Sequence, residues 1–257
     1  MARTEYGLQM YSLHDITKGS MRMALERVAE MGYKYVEFAG FFDYMPEQIK
    51  LWLDTFGLTC SSTHTEMRYI TPETIDETIR YHKVIGCKNL IVPECDWSTP
   101  EKAKGVVDAL NIAQKKLAEN GITLGYHNHS KEFFPNAHGI VFEDIVKAET
   151  TVDLQIDTWW AFNAGLDVVK FLEENKDRIR IIHLKDGIAS APDCKNFDHV
   201  RDGVRGLSVG SGQNVIPEIR KWAIANGVLM VVESEGLDPT GLEEVGRCME
   251  YLRTLDD

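Results

Sequence analysis

Residues 120–129 read Asn120-Gly121-Ile122-Thr123-Leu124-Gly125-Tyr126-His127-Asn128-His129. Three signals follow one another in this stretch. Gly121 supplies the left-handed residue that closes the amphipathic run Pro100–Asn120. The short β-rich run Thr123–Asn128 then predicts a strand, and two histidines stand at its carboxyl end. The same unit recurs along the chain. Strands are predicted at Tyr6–Tyr11, Tyr35–Phe38, Thr59–His64, Asn89–Pro93, Thr123–Asn128, Val152–Ile156, Ile179–Leu184 and Val228–Ser234. Helical patterns lie between them, among them Met21–Met31, Pro46–Phe56, Pro72–Ile85, Pro100–Asn120 and Val168–Glu174. Thr71-Pro72-Glu73 and Thr99-Pro100-Glu101 read as caps followed by a first-turn proline, and Gly32, Gly57, Gly86, Gly121 and Gly227 as helix stops.

Regular β-then-α alternation means parallel strands joined by crossover helices. An open doubly wound sheet and a closed (β/α)₈ barrel both satisfy it. No GxGxxG follows the first strand, and polar residues end nearly every strand rather than gathering at one switch point. The reading is an α/β (β/α)₈ TIM barrel forming a single domain over residues 1–257. Its one irregular stretch, Gly187–Gly212, is a long loop after the seventh strand.

Composition narrows the partners. A formal net charge of −12 and the lack of any Lys/Arg track speak against nucleic acid. No apolar stretch approaches the roughly 20 residues that span a bilayer, so no membrane partner is expected. The five cysteines are scattered without a CxxC pair, which reads as free thiols in a reducing compartment. A polar N-terminus leading straight into a strand completes the expectation of a cytoplasmic protein.

The strand ends carry the chemistry: Glu37, His64, Glu94, His127 and His129, Asp157, His183 and Lys185, and Glu233 and Glu235. Alternate strand residues share a face, so each of the three pairs points together. Under a helix such pairs would bury charge in an apolar layer, so they are expected to face the barrel mouth. Carboxylates crowded there repel unless a cation sits between them. Mixed His and Asp/Glu donors suit one divalent Mn, Zn, Co or Fe better than Ca²⁺. Salt bridging alone, Lys185 with Glu235 for example, is the competing explanation.

At this point the sequence resembles the sugar phosphate isomerase/epimerase family of xylose isomerase-like TIM barrels (the AP endonuclease family 2 superfamily). The matching motifs are Leu8-Gln9-Met10-Tyr11-Ser12, Tyr126-His127-Asn128-His129 with Glu132-Phe133, Asp157-Thr158-Trp159-Trp160, His183-Leu184-Lys185-Asp186, Val232-Glu233-Ser234-Glu235 and Gly210-Ser211-Gly212. The resemblance implies a metal held by His127, Asp157, His183 and Glu233. His127 departs from the family pattern, because the better-known epimerases carry a Glu there and use two metal-bound glutamates as their acid/base pair. The Tyr-His-Asn-His segment also resembles inosose dehydratases.

The expected function is therefore a divalent-metal-dependent isomerase or epimerase of a sugar, sugar phosphate or keto-sugar. It would abstract a proton next to a carbonyl through a metal-stabilised enediolate. A keto-sugar or inosose dehydratase or lyase on the same site is the alternative. A metal-dependent DNA-repair endonuclease wants more metal ligands and a basic groove, and a barrel that only binds would not need its ligands. Acid/base candidates are Glu233, His129, Glu132 and Lys185. Substrate contacts are expected from His64, Glu94, Glu235 and the ring faces of Trp159 and Trp160. Arg201 and Arg205 in the long loop are the only hint of a phosphate site. Expected partners are a small carbohydrate and, at most, further copies of the chain.

Overall fold

The computed structural model describes residues 3–189 and 205–256. In chain order the strands are β1 (Gly7–Gln9), β2 (Tyr35–Ala39), β3 (Thr59–His64), β4 (Asn89–Val92), β5 (Thr123–His127), β6 (Asp153–Asp157), β7 (Ile181–Leu184), β8 (Asp186–Ile188), β9 (Arg205–Leu207) and β10 (Leu229–Val232). Eight of them close a parallel barrel in the order β1-β10-β7-β6-β5-β4-β3-β2. Closure is made by β1, whose Gly7 sits opposite both Val231 of β10 and Tyr35 of β2. A closed sheet leaves no unpaired edge. The remaining two strands, β8 and β9, form a small antiparallel ribbon at the carboxyl end of β7.

The helices are α1 (Thr17–Met31), α2 (Pro46–Phe56), α3 (Ile75–Ile85), α4 (Pro100–Glu119), α5 (Phe142–Glu149), α6 (Thr158–Asn163), α7 (Val168–Asn175), α8 (Ile216–Asn226) and α9 (Gly241–Thr254). Alternate strand residues such as Leu8, Val36, Leu124, Leu154, Leu184 and Val232 are fully buried in the hydrophobic core that the helices share. Each such side chain contributes about 1.5–3 kcal/mol. The opposite parity fills the barrel axis. There Gln155 of β6 and His183 of β7 bond to Glu37 of β2, a non-neighbouring strand, so the bonds cross the interior.

The helix stops at Gly32, Gly57, Gly86, Gly121 and Gly227 all have φ between +66° and +96°, a region where a Cβ is penalised. Thr99 caps α4 as read, its hydroxyl accepting from Lys102 N. Thr71-Pro72-Glu73 does not open a helix. The Thr71 hydroxyl bonds Thr74 while Thr74 Oγ1 donates to Arg68 O, and α3 begins only at Ile75. The first strand is shorter than predicted because Gln9 Oε1 accepts from Tyr11 N and turns Met10–Leu13 into a 3₁₀ segment. Helix α1 starts earlier than its pattern, with a kink at Ser20 that separates it from the predicted Met21–Met31. Arg201, Cys194 and most of the long loop lie outside the described residues. No described helix is long and apolar enough to cross a membrane.

One buried acid in the outer layer has no role at the barrel mouth. Glu143 on α5 is 2% exposed, and its Oε1 has no hydrogen-bond partner. Burial pushes its carboxyl up to about 7, against the pull of Lys147 and Arg178. The folded state thus holds this proton more tightly than the unfolded chain, so stability falls as pH rises from about 4.5 to about 7. Glu143→Gln is expected to flatten that decline, for a relative gain of about 1–3 kcal/mol at pH 7.5. Urea melts of both proteins across pH 4.5–7.5 check it, and parallel slopes would refute the assignment.

Candidate metal centre

The site is built on a carboxylate in the barrel axis. Glu37 is fully buried. Its Oε1 accepts from Gln9 Nε2 at 2.6 Å and from His183 Nε2 at 2.5 Å, with His64 Nε2 at 3.2 Å. Its Oε2 accepts from Gln155 Nε2 at 2.6 Å and from the Ser62 hydroxyl. Burial alone would raise this carboxyl, but the His64 and His183 rings outweigh it and hold it ionised down to about 2.

An ionised Glu37 cannot donate, so Gln155 must face it with its NH₂ and turn its carbonyl to the imidazoles. That carbonyl meets His64 Nε2 at 2.7 Å and His127 Nδ1 at 3.2 Å. A proton on His127 Nδ1 leaves its Nε2 lone pair free, and a proton on His183 Nε2 leaves Nδ1 as its second position. Glu37 and Gln155 thus set how two of the imidazoles present themselves, the arrangement that outer carboxylates and carbonyls give metal-binding histidines.

Donor atoms of His127, Asp157, His183 and Glu233 all lie within 4.8 Å of one another, and all four residues are buried. Asp157 does two jobs. Its Oδ1 caps α6, accepting from Trp159 N at 3.0 Å and Trp160 N at 2.8 Å. Its Oδ2 has no hydrogen-bond partner and lies 3.9 Å from His183 Nδ1. Burial pushes this carboxyl up to about 7 even with Lys185 nearby. His183 Nδ1 lies 3.0 Å from Glu233 Oε2. Burial works to strip a proton from His183, yet Glu37 and Glu233 keep the ring protonated up to about 10. His127, by contrast, is held neutral by burial and by the His183 ring. An orphaned buried carboxylate oxygen, a second carboxylate and two oriented imidazoles fit one divalent cation with mixed N/O donors. His64 forms a second candidate grouping with His127 and His183, but its Nε2 is bonded to Gln155.

The centre opens into a cavity of about 1370 Å³ whose lining includes His64, Glu94, His127, His129, Glu233 and Glu235. His129 lies past the end of β5, its Nδ1 unpartnered, and burial together with Lys185 holds it neutral down to about 3. Lys185 is 1% exposed, 3.1 Å from Glu233 Oε2, 3.7 Å from Asp157 Oδ2 and in contact with Glu235. Burial opposes its charge, but Glu233, Glu235 and Asp157 overcome that and raise its pKa. Glu94 lies on the loop after β4, paired with Lys131.

Two predicted site residues are placed elsewhere. Glu132 does not line the cavity. It is fully buried, with one oxygen accepting from Tyr126 Oη at 3.3 Å and the other from His129 N at 2.9 Å. It shapes the 3₁₀ turn Ser130–Phe133 that follows His129, so its part is positional. Trp159 is 1% exposed and packs under Gly187, where a Cβ would overlap its ring, so it offers no face to a sugar. Trp160 is half-buried with its ring 5.0 Å from the Lys185 ammonium, a cation–π contact.

Two residues escaped the sequence reading. Glu37 stood among the strand-end acids, but nothing local marked it as the hub. Asp186 belonged to a noted motif, and it accepts backbone N–H groups from Gly187, Gly210, Gly212 and Asn214 at 2.8–3.0 Å. It thereby ties the glycine loop to the end of β7. A Cβ at Gly212 would overlap Asp186 Oδ1.

Comparison with known proteins agrees with this architecture. The xylose isomerase-like TIM barrel family model matches residues 25–255. The chain belongs to that family. Two crystal structures of sugar phosphate isomerase/epimerases from Parabacteroides distasonis resemble it. One is 26% identical with a TM-score of 0.80 over 98% of this chain and 99% of that one. The other is 24% identical with a TM-score of 0.76 over 100% and 96%. An inosose dehydratase from Geobacillus kaustophilus is 26% identical over 186 residues, 63% of this chain and 60% of the relative.

The electrostatics of this family member's centre are directly measurable. In metal-free protein, histidine ¹⁵N spectra are expected to show His183 protonated at pH 8, with His127 and His129 neutral. Glu37→Gln removes the nearer negative charge and is expected to lower the His183 midpoint by more than about one unit. An unmoved midpoint would mean that Glu37 does not face His183.

Proposed function

We propose that the chain is a divalent-metal-dependent enzyme that moves a proton on carbon next to the carbonyl of a small sugar, and that the outcome is isomerisation. His127, Asp157, His183 and Glu233 would hold one Mn, Zn, Co or Fe, which when bound supplies Lewis-acid polarisation of the sugar carbonyl. The observation that carries the reading is that Glu233 and a neutral His129 line the same cavity, from strands separated by β6 and β7.

Glu233 is kept anionic because Lys185 and His183 outweigh its burial. In this proposal it takes the proton from one carbon and returns it to the next. His129, neutral and lining the cavity, relays the hydroxyl proton between the two adjacent oxygens. A carboxylate base working with a neutral imidazole is an established division of labour for proton-transfer isomerisation. Lys185 holds Glu233 and Glu235 in place and offsets the negative charge that develops nearby. Epimerisation fits less well, because it needs acid/base groups on both faces of one carbon and His127 occupies the second carboxylate's place.

Elimination is the second reading, favoured by the same His127 and by the relative that is an inosose dehydratase. There Glu233 takes the proton and the leaving hydroxyl is protonated from the Lys185 ammonium, since His129 is neutral. The endonuclease reading finds no support: among the described residues the candidate metal groups share His127 and His183. Among the described residues seven carboxylates line the cavity against three Lys/Arg cations, which repels a phosphate backbone.

Elemental analysis is expected to find about one ion per chain, lost in the Asp157→Ala/His183→Ala double variant. Incubating the metal-loaded protein with a panel of keto-sugars and inososes in deuterated water should place deuterium next to the carbonyl of a product of unchanged formula. Loss of water instead establishes the second reading. Glu233→Gln is expected to abolish both exchange and metal retention, and Glu235→Gln to reduce turnover while sparing metal. Exchange that persists undiminished in Glu233→Gln would overturn the assignment of the base.

A further inference from the structure

The cavity is much longer than the metal centre needs. Pockets for drug-sized ligands measure about 300–1,000 Å³, so one six-membered ring leaves most of 1370 Å³ empty. The candidate metal cluster is confined to the ends of β5, β6, β7 and β10, while most of the lining comes from the loops after β2, β3 and β4 and the helices that follow them. That extension has a definite chemistry. Its rim presents the rings of Tyr11, Phe42 and Tyr69, each 40–47% exposed. Phe42 is held there by a left-handed backbone with φ 48°, which a bulky residue adopts only when its surroundings enforce it. Aromatic faces of this kind pack against the C–H faces of sugar rings while the hydroxyls stay in water.

Among the described residues, the charges in the extension leave no place for an anion. The cavity's three cations are each committed: Arg68 to Glu66 at 2.8 Å, Arg80 to Glu77 at 2.7 Å and Lys102 to Asp96 at 2.7 Å. Outside it, Arg205 lies 3.3 Å from Asp238. A phosphate drawing off one of those partners would be left beside the displaced carboxylate, in a cavity where acids already outnumber bases. Exposed ion pairs are individually weak, so it is the sign of the whole wall that decides.

We infer that the substrate is an uncharged, two-ring glycoside rather than a sugar phosphate, its carbonyl-bearing ring at the metal cluster and its second ring on the Phe42–Tyr69 rim. This rests on the proposed proton-transfer site and adds its substrate class. The second ring makes no bond in the chemistry. Its binding energy serves to hold the reacting ring in register.

The test is equilibrium binding by calorimetry to the metal-loaded full chain, using a panel of ketoses, their 6-phosphates and ketose-containing disaccharides. At least one disaccharide is expected to bind tenfold or more tightly than its own monosaccharide, and each 6-phosphate to bind more weakly than the free sugar. Phe42→Ala/Tyr69→Ala should erase the disaccharide's advantage without changing monosaccharide affinity or the thermal midpoint. A 6-phosphate that binds more tightly than its free sugar overturns the inference. So does a panel in which no disaccharide outbinds its monosaccharide, or an advantage that survives the double variant. Binding is read without turnover, so a wrong substrate class and a wrong proton-transfer site fail in different measurements.

Discussion

A carboxylate in the axis of a β-barrel has no bulk water to solvate it, and everything around Glu37 answers that constraint. Its negative charge is bearable only because Gln9, Ser62, Gln155 and His183 converge on it from strands all around the barrel. Removing a single donor would leave a buried charge short of partners, so these side chains must be correct together. The same requirement orients the imidazoles. Because Glu37 only accepts, Gln155 has one usable orientation, which fixes the protonated nitrogen of His127, while Glu37 itself fixes a proton on His183 Nε2. A deep structural demand is thus converted into an oriented set of candidate ligand atoms at the mouth.

Carboxylates above that floor act mainly as anchors. Asp157 spends one oxygen on the first turn of α6 and keeps the other for the centre. Glu132 holds the backbone of His129, Asp186 gathers the glycine loop, and Glu244 accepts from the backbone of Gly236 and Asp238 beyond β10. Each pins a βα loop at the point where it leaves a strand. Side chains at those strand ends are therefore held by backbone hydrogen bonds rather than by loop packing, which is what a site with sub-ångström demands requires.

Charge is organised in two zones. In the centre, Lys185 and His183 are embedded among Asp157, Glu233, Glu235 and Glu37, so each charge stabilises its neighbours and titration of one shifts the rest. Farther out, on the loops after β2, β3 and β4, cations and carboxylates pair locally and leave a net acidic wall set with aromatic rings. The proposed proton transfer uses the first zone, and the inferred second ring would lie against the second.

Regular β-then-α alternation, polar residues at nearly every strand end and the lack of GxGxxG after the first strand were enough to read the barrel from residues alone. Period-two alternation and left-handed helix ends are local properties of the backbone, which is why Thr59–His64 and Pro46–Phe56 were predicted to the residue. The strand-end residues that meet at one mouth could be named for the same reason, whereas singling out His127, Asp157, His183 and Glu233 among them came from the family resemblance. The sequence could not show that Glu37 on the second strand meets His183 on the seventh. That contact depends on the diameter and closure of the barrel, which no local pattern encodes. Glu132 and Trp159 were misplaced on the same ground. Each lies within a few residues of a centre residue, yet a 3₁₀ turn carries one to Tyr126 and the β8–β9 ribbon covers the other. Residue types and periodicity determined which groups reach the barrel mouth. Only closure of the sheet decided which of them touch, because those bonds run across the barrel rather than along the chain.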